Sequence, residues 1–183
     1  MNLSDRITSP IEADRVVLTP LRVEDADEMV AVLASPTLYR FTGGEPPTLD
    51  ALRRRYAAMV VGHSPDLQQE WLNWVVRLEQ DGAAVGTVQA TIDREDGRAE
   101  VAWVIGTDWQ GRGYASESAA ALVRALVEAG VPWVVAHIHP DHAASEAVAR
   151  RCGLTPTEQW HDGERRWEWR DQPVGTTSVA SAK

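Results

Sequence analysis

The feature that most constrains the fold is a set of three strand-like segments separated by two short turn signals. The segments are Trp71–Gln80, Ala84–Asp93 and Arg98–Gly106. Asp81-Gly82 joins the first two and Glu95-Asp96-Gly97 joins the second pair, and an aspartate–glycine pair is typical of a hairpin turn. Connections this short join antiparallel neighbours, because parallel strands need a long crossover. The sequence therefore predicts an antiparallel meander over residues 71–106.

Helical and strand-like patterns flank the meander on both sides. Before it lie a strand over Arg15–Leu21 and helices over Glu24–Leu33 and Leu49–Val61. After it lie a helix over Tyr114–Ala129, a strand over Trp133–His139, a helix over Ala143–Cys152 and two strands around the turn at His161-Asp162-Gly163. The order is β-α-α-β-β-β-α-β-α-β-β. We expect one α+β domain over residues 1–170, with a mixed, mostly antiparallel sheet and about four helices, and a flexible tail over residues 171–183.

Charge and composition exclude several classes of protein. The chain of 183 residues carries 18 basic and 27 acidic residues, a net charge of −9, and no basic run stands out, which argues against a nucleic-acid partner. Its apolar runs end well short of the ~20 residues that a membrane span requires, so we expect no membrane attachment. The polar, acidic N-terminus lacks the apolar core of a signal peptide. The single cysteine, Cys152, fits a reducing compartment, and we expect a cytoplasmic protein in which Cys152 serves packing.

One run, His137 to His142 (HIHPDH), has the spacing of a binuclear zinc hydrolase site. His137 and His139 would share one face of a strand, with Asp141 and His142 in the following turn. Such a site needs further ligands downstream, and only one histidine, His161, follows His142. We therefore expect no metal, and a zinc-dependent hydrolase that uses the four residues of this run remains the alternative.

A glycine-rich hexapeptide, Gln110 to Ala115 (QGRGYA), lies between the third meander strand and an amphipathic helix. Gly111 and Gly113 allow a tight turn and a close approach of a ligand to the backbone. The amides of such a turn, with a helix N-terminus behind them, form a cradle for an anion such as a pyrophosphate. The spacing alone fits a phosphate-binding loop and an ordinary glycine loop equally well.

The hexapeptide resembles the R/Q-x-x-G-x-G/A signature of the GNAT superfamily of N-acetyltransferases. The longer run VAWVIGTDWQGRGYASES, residues 101–118, is similar to that family's fourth strand, loop and third helix, and the element order agrees. Residues 139–145 (HPDHAAS) resemble the N-P-x-N-x-x-S segment of the branch that includes ribosomal-protein N-terminal (serine/alanine) acetyltransferases, with His142 in place of an asparagine. The resemblance covers roughly residues 14–170. It implies a GNAT-like fold and an acetyl-CoA-dependent N-acetyltransferase.

The resemblance also implies where acetyl-CoA binds. The pyrophosphate would lie on the backbone of Gln110, Gly111, Arg112, Gly113, Tyr114 and Ala115. The pantetheine arm would pair with Trp103, Val104 and Ile105, as an added strand does. The amide of Val104 or Ile105 would also stabilise the tetrahedral oxyanion. His142 and Ser145 would contact the cofactor from the last helix.

Two further catalytic roles follow from the same resemblance. Glu100 matches a carboxylate position that the family often uses to take the proton of the amine, and His142 competes with it for this role. Ser145 would contact the leaving sulfur, directly or through water. The tyrosine that many family members use for this purpose is replaced here by Ala149.

Aromatic residues are the candidates for the acceptor pocket, which this family commonly builds from the first two helices, their connecting loop and the final hairpin. The candidates are Tyr39, Phe41, Trp74, Trp167 and Trp169. Packing in the core is the alternative for each tryptophan. An acidic protein with such a pocket suits a small-molecule amine or a peptide N-terminus. A non-catalytic acyl-CoA-binding domain is a further alternative, and the resemblance leaves a homodimer open.

Overall fold

The computed structural model describes Ile7 and residues 9–171, and within them an eight-stranded sheet is flanked by four α-helices. The strands are β1 (Ile11–Glu12), β2 (Val16–Pro20), β3 (Gln69–Leu78), β4 (Ala84–Asp93), β5 (Arg98–Ile105), β6 (Trp133–Ile138), β7 (Thr155–His161) and β8 (Glu164–Arg170). The helices are α1 (Ala26–Val32), α2 (Leu49–Met59), α3 (Tyr114–Glu128) and α4 (Ala143–Arg151). The expected α+β fold is confirmed. Apart from Asp171, the expected tail lies outside the described residues.

The sheet has the order β1-β2-β3-β4-β5-β6-β8-β7. All neighbours are antiparallel except β5 and β6, which are parallel because α3 forms the crossover between them. The predicted meander is therefore the central β3-β4-β5 unit of the sheet.

The strands β5 and β6 separate after a short paired stretch. They pair at only three positions, Arg98 to Glu100, whereas β4 accompanies β5 as far as Ile105. Within the described part of the chain, the β6 side of β5 therefore has no strand beside it from Val101 onward. The opening lies next to the loop that connects β5 to α3.

The two faces of the sheet carry separate cores, because successive side chains of a strand point to opposite faces. The larger core lies under α3 and α4 and includes Leu122, Leu126 and Trp167. The smaller core lies under α1 and α2 and includes Met29 and Leu52. Burying a side chain of this size contributes about 1.5–3 kcal/mol, so the two cores fix which face each strand residue occupies.

The first predicted helix, Glu24–Leu33, has a different start. A 3-10 turn over Val23–Asp25 comes first, and α1 follows it. The turn is tightened because the Arg22 amide donates to Asp25 Oδ2 over 2.7 Å. The Asp25 carboxylate also pairs with Arg77 of β3 over 2.7 Å, which anchors the start of the helix to the sheet.

The strand β3 lies two residues earlier than the sequence prediction, and the second helix ends at Met59 rather than Val61. Pairing with β4 extends back to Gln69, opposite Asp93, so the strand begins before the first tryptophan. The short strand β1 was not predicted, because a two-residue segment has no detectable periodicity.

Candidate active site

The loop Gln110–Ala115 enters α3 through two glycines in the left-handed conformation. Gly111 has φ 74°, and Gly113, the N-cap of α3, has φ 87°. A side chain is strained at these angles, so both positions favour glycine. The amides of the first helical turn have no partner within the helix, and the helix dipole places positive charge there. The loop and the helix N-terminus together suit an anion.

Side chains from other parts of the chain hold this loop in place. Gln110 Nε2 donates to the Ile105 carbonyl over 2.9 Å, which ties the loop to the end of β5. Arg15, just before β2, pairs with Glu117 of α3 over 2.7 Å and donates to the Arg112 carbonyl over 3.1 Å. The loop conformation is therefore set by contacts with two strands.

Arginines give this loop a positive setting in an otherwise acidic protein. Arg112 is exposed within the loop, and the guanidinium carbon of Arg15 lies 4.9 Å from the centroid of the Tyr114 ring. Arg151 of α4 donates to the Ser116 hydroxyl over 3.2 Å. The guanidinium groups of Arg15 and Arg151 thus lie near the N-terminus of α3, where Glu117 pairs with Arg15. Positive charge at this place favours a polyphosphate.

The opening between β5 and β6 exposes backbone groups of β5 in a defined pattern. The Gly106 amide donates to Val85 of β4, whereas the Ile105 carbonyl points away from β4, toward the α3 loop. Backbone groups of successive strand residues alternate in direction. Those of Val104 therefore face β4, and those of Trp103 and Ile105 face the opening, where an extended ligand can pair with them.

The turn between β6 and α4 brings two sequence-predicted residues together. His142 is the N-cap of α4, and its Nδ1 accepts the Ser145 amide over 3.4 Å. Phe41, from the loop between α1 and α2, stacks on His142 with 4.4 Å between ring centroids and lies 5.3 Å from His139. Burial, assisted by His139, lowers the pKa of His142 and favours the neutral, hydrogen-bond-accepting form.

Glu100 has a partner that the sequence reasoning missed. Its Oε1 lies 3.0 Å from Nδ1 of His137 on the neighbouring strand β6. Glu100 is in register with Val135, so His137, two residues further along β6, projects from the same face of the sheet. Knowledge of the β5–β6 register would have revealed this pair, but the periodicity of each strand alone does not.

A cavity of about 320 Å³ lies beside this pair. Side chains of β5, β6 and the β7–β8 hairpin line it, among them Arg98, Glu100, His137, Trp160, His161 and Arg166. The rings of His161 and His137 are 5.5 Å apart. Burial raises the pKa of the nearby Glu164 carboxyl, although His137 and His139 oppose the shift. The cavity therefore places Glu100 beside cationic and titratable side chains.

The aromatic residues expected at the acceptor pocket fall into two groups. Tyr39 and Phe41 lie in the loop between α1 and α2; the Tyr39 hydroxyl bonds the end of α1 over 3.1 Å, and Phe41 reaches the β6–α4 turn. Trp74 is 2% exposed, Trp167 is 1% exposed, and Trp169 packs against the same larger core. These three tryptophans lie on the face opposite Glu100, so core packing accounts for them and the expected acceptor contact is not supported.

A second cavity, of about 330 Å³, lies at the edge of β3 beyond the end of β2. Trp74, Glu70 and Ile7 are among the residues that line it. Neither Glu100 nor the loop before α3 borders this cavity, so it is separate from the site described above.

The histidine side chains of the HIHPDH run (residues 137–142) have different hydrogen-bond partners. His137 Nδ1 faces Glu100, His139 Nδ1 accepts the Asp141 amide over 3.1 Å, and His142 caps α4. Among the described residues, no group of three or more His, Cys, Asp or Glu side chains is arranged to hold a metal ion. His139 and His142 thus make local hydrogen bonds, and His137 makes one to a neighbouring strand.

Cys152 packs against the larger core at the end of α4. Burial raises the pKa of its thiol to about 12, so the thiol stays protonated at neutral pH. Among the helices of residues 9–171, none is both long and apolar enough to cross a membrane.

Comparison with known proteins gives one family. A family model described as an acetyltransferase (GNAT) domain matches residues 15–155. Comparison with curated protein sequences gave no match.

Solved structures share the fold at low sequence identity. A GNAT-family acetyltransferase from Bacillus anthracis is 18% identical, with a TM-score of 0.72 over 88% of this chain and 98% of its own. A ribosomal L7/L12 alpha-N-protein acetyltransferase in complex with coenzyme A is 16% identical, with a TM-score of 0.75. The match covers 88% of this chain and 97% of that protein. The microcin C7 self-immunity acetyltransferase, in complex with acetyl-CoA and AMP, is 16% identical, with a TM-score of 0.67. The match covers 86% of this chain and 93% of that protein.

Proposed function

Because the chain belongs to the GNAT acetyltransferase family and is an acetyl-CoA-dependent acetyltransferase, we propose that it acetylates a primary amine of a small molecule or a peptide N-terminus. The amine attacks the thioester directly in a ternary complex formed by the single domain of residues 1–170. The observation that carries the proposal is the left-handed glycine loop at the N-terminus of α3, beside the opening between β5 and β6. The lone cysteine supports a cytoplasmic location.

The cofactor site follows from backbone geometry. The pyrophosphate of acetyl-CoA binds the amides of residues 110–115, with Arg15, Arg112 and Arg151 supplying positive charge. The pantetheine arm pairs with the backbone amide and carbonyl of Trp103 and with the Ile105 carbonyl, which face the opening between β5 and β6. The sequence predicted that Val104 would also pair with the pantetheine arm, but the backbone groups of Val104 face β4.

His137 takes the proton of the amine and Glu100 orients His137. When Nδ1 of His137 donates to Glu100 across their 3.0 Å contact, Nε2 carries the lone pair that accepts a proton. The Glu100 carboxylate then stabilises the imidazolium that forms, as a carboxylate does beside a catalytic histidine. His142 is less suited to this role, because its Nδ1 accepts the Ser145 amide.

The remaining two roles belong to the β5 opening and to α4. The Ile105 amide donates to the oxyanion of the tetrahedral intermediate, because it faces the opening while the Val104 amide faces β4. Ser145, in the first turn of α4, assists protonation of the CoA thiolate, directly or through water. A serine hydroxyl is a weak acid, so we assign it a smaller effect than that of His137.

The size of the acceptor follows from the cavity beside Glu100. A volume of about 320 Å³ suits a small molecule or the terminal residue of a peptide. The structural relatives are named for different biological roles, acetylation of a ribosomal protein and immunity to a microcin. The cavity of this chain, and not either relative, therefore supports the assignment.

The cofactor site is tested by titrating the protein with acetyl-CoA in a calorimeter. Gly111→Val is compared with Gly82→Val, because both glycines have φ 74° and open space where a side chain would begin. The two substitutions impose the same backbone strain, and Gly82 lies in the β3–β4 turn, outside the loop before α3. We expect the Kd of acetyl-CoA to rise at least about 10-fold in Gly111→Val alone, a loss comparable to one charge-assisted hydrogen bond.

Two outcomes contradict parts of the proposal. Equal binding by both variants would remove the loop before α3 as the cofactor site. Tight binding of acetyl-CoA without release of CoA to any primary amine would instead favour a non-catalytic acyl-CoA-binding domain. Release of CoA is followed with a thiol reagent, because Cys152 is half-buried and its thiol is protonated.

A further inference from the structure

We propose that the acceptor is a small amine that also carries a carboxylate, such as a free amino acid, with its amine at His137 and its carboxylate at Arg98 and Arg166. The inference rests on the proposed acetyl transfer and specifies the class of acceptor. It comes from the side chains that line the cavity of about 320 Å³ beside Glu100.

The cavity holds partners for both ends of such a molecule. Glu100 and His137, 3.0 Å apart, form the end that takes a proton. Arg98 lies two residues before Glu100 on the same face of β5, and Arg166 is opposite His137 in the β6–β8 register. The volume lies at the lower end of the ~300–1,000 Å³ typical of small-molecule sites, so both ends belong to one compact ligand.

Arg166 is a buried guanidinium that its neighbours leave short of acceptors. Its side chain is 11% exposed, and Nη1 donates to Gln159 over 2.7 Å. Nε and Nη2 are buried without a hydrogen-bond partner among the described residues. Its ion-pair partner Glu168 stays 3.7 Å away and is shared with Arg170 at 3.3 Å. Unpaired buried N–H groups are unfavourable. A small shift of the Arg166 side chain into the cavity that it lines would let a ligand carboxylate supply the acceptors that these N–H groups lack.

Arg98 adds a second, more accessible guanidinium. Its ion pairs with Asp93 and Asp96 are long, at 3.5 and 3.9 Å, so these carboxylates offset its charge without a short hydrogen bond. Arg98 and Arg166 lie 5.5 and 4.3 Å from the ring centroid of Trp133, which holds both guanidinium groups on one surface. Planar, forked donors of this kind recognise a carboxylate better than a single ammonium would.

The chemical step balances within this arrangement. The neutral amine nitrogen forms a bond to the thioester carbonyl carbon and loses one proton to Nε2 of His137. The C–S bond breaks as the tetrahedral intermediate collapses, and the CoA thiolate takes a proton from water. The products are an N-acetylamino acid and CoA.

The experiment compares amino acids with their carboxamides. The wild-type protein and acetyl-CoA are incubated with each of the protein amino acids and with the matching amide, and release of CoA and the mass of the product are measured. An amide keeps the amine and the side chain but removes the negative charge. We expect kcat/KM for at least one amino acid to exceed that of its amide by about 10–100-fold, as for loss of a charged hydrogen-bond partner.

The arginine variants locate the carboxylate. Arg98→Gln and Arg166→Gln should each raise KM for the amino acid about 10-fold or more, with little change for the amide. Arg170→Gln is the matched control, because Arg170 also lies against Trp133, at 4.0 Å, but does not line the cavity. If Arg166→Gln unfolds at a lower temperature than the wild-type protein, Arg98→Gln provides the test instead, because the Arg98 side chain is more exposed.

Failure of this inference is distinguishable from failure of the proposed function. Equal rates with acids and amides, or activity confined to amines without a carboxylate, would overturn the inference and leave acetyl transfer intact. No product with any acid or amide, while acetyl-CoA still binds, would also overturn it. If the wild-type protein did not bind acetyl-CoA at all, the proposed function itself would be contradicted.

Discussion

The loop before α3 and the cavity beside Glu100 differ in the groups that form them. The loop is mostly backbone, a contiguous hexapeptide with two left-handed glycines and a helix N-terminus. The cavity is made of side chains from β5, β6 and the β7–β8 hairpin, which are far apart in the sequence. In the proposed function, backbone amides bind the anion whatever side chains surround them, whereas the acceptor is selected by side chains that only the sheet brings together.

The difference implies that the two regions respond to mutation separately. Changes at the loop should weaken acetyl-CoA binding while the chemical step remains intact. Changes at the cavity should slow the chemical step or weaken acceptor binding while acetyl-CoA still binds. The following variants test this separation, beginning with the largest expected effect.

His137→Ala should lower kcat by about 10²–10⁴-fold, the usual contribution of a general base. The Kd of acetyl-CoA should stay unchanged, because His137 lies away from the loop before α3. Added imidazole should restore part of the rate, which a purely structural role would not explain. His63→Ala, at the edge of β3, is the control, and steady-state kinetics are the measurement. An unchanged kcat in His137→Ala would mean that Glu100 or water, and not His137, takes the proton of the amine.

Arg15→Ala should raise the Kd of acetyl-CoA by about 10-fold, because it removes charge-assisted contacts that hold the loop. The kcat at saturating acetyl-CoA should change little. Arg53→Ala removes a comparable ion pair, the 2.6 Å contact with Asp27, on the exposed surface of α2 and serves as the control. Calorimetry on both variants gives the comparison. A fall in kcat with unchanged Kd would contradict the separation of the two regions.

Ser145→Ala should lower kcat by about 5-fold, the effect of losing one hydrogen bond worth ~1 kcal/mol. Ser145 lies in the first turn of α4, and its amide donates to the capping His142. Ser35→Ala, in the loop after α1, removes a hydroxyl elsewhere and should leave the rate alone. If Ser145→Ala raised the Kd of acetyl-CoA instead, the hydroxyl would belong to cofactor binding rather than to thiolate release.

His142→Asn should have the smallest effect, a change in how stability depends on pH. Burial and His139 lower the pKa of His142 in the folded protein, so the unfolded chain binds its proton more readily. Stability is therefore lost as the pH falls through about 6.5, the usual value for histidine. Asparagine still caps the helix but does not titrate, so the variant should lose less stability between about pH 7 and pH 5. Thermal unfolding at several pH values measures the difference, and parallel curves for both proteins would contradict it.

The sequence by itself determined the element order, the central meander and the glycine loop before α3. These features depend on local patterns, namely turn signals, periodicity and glycines at fixed spacing, and the structure has them at nearly the expected boundaries. Resemblance on the same short stretch was enough to indicate the family.

Only the tertiary structure decided which residues meet. Trp167 and Trp169 were expected at the acceptor pocket, but periodicity does not say which helices cover a strand face, and α3 and α4 cover the face that carries these tryptophans. The Glu100–His137 pair depends on the parallel register of β5 and β6, which pair at just three positions. Register is set by how whole strands pack against helices, so a contact between residues 37 positions apart is decided by the folded sheet and not by either strand.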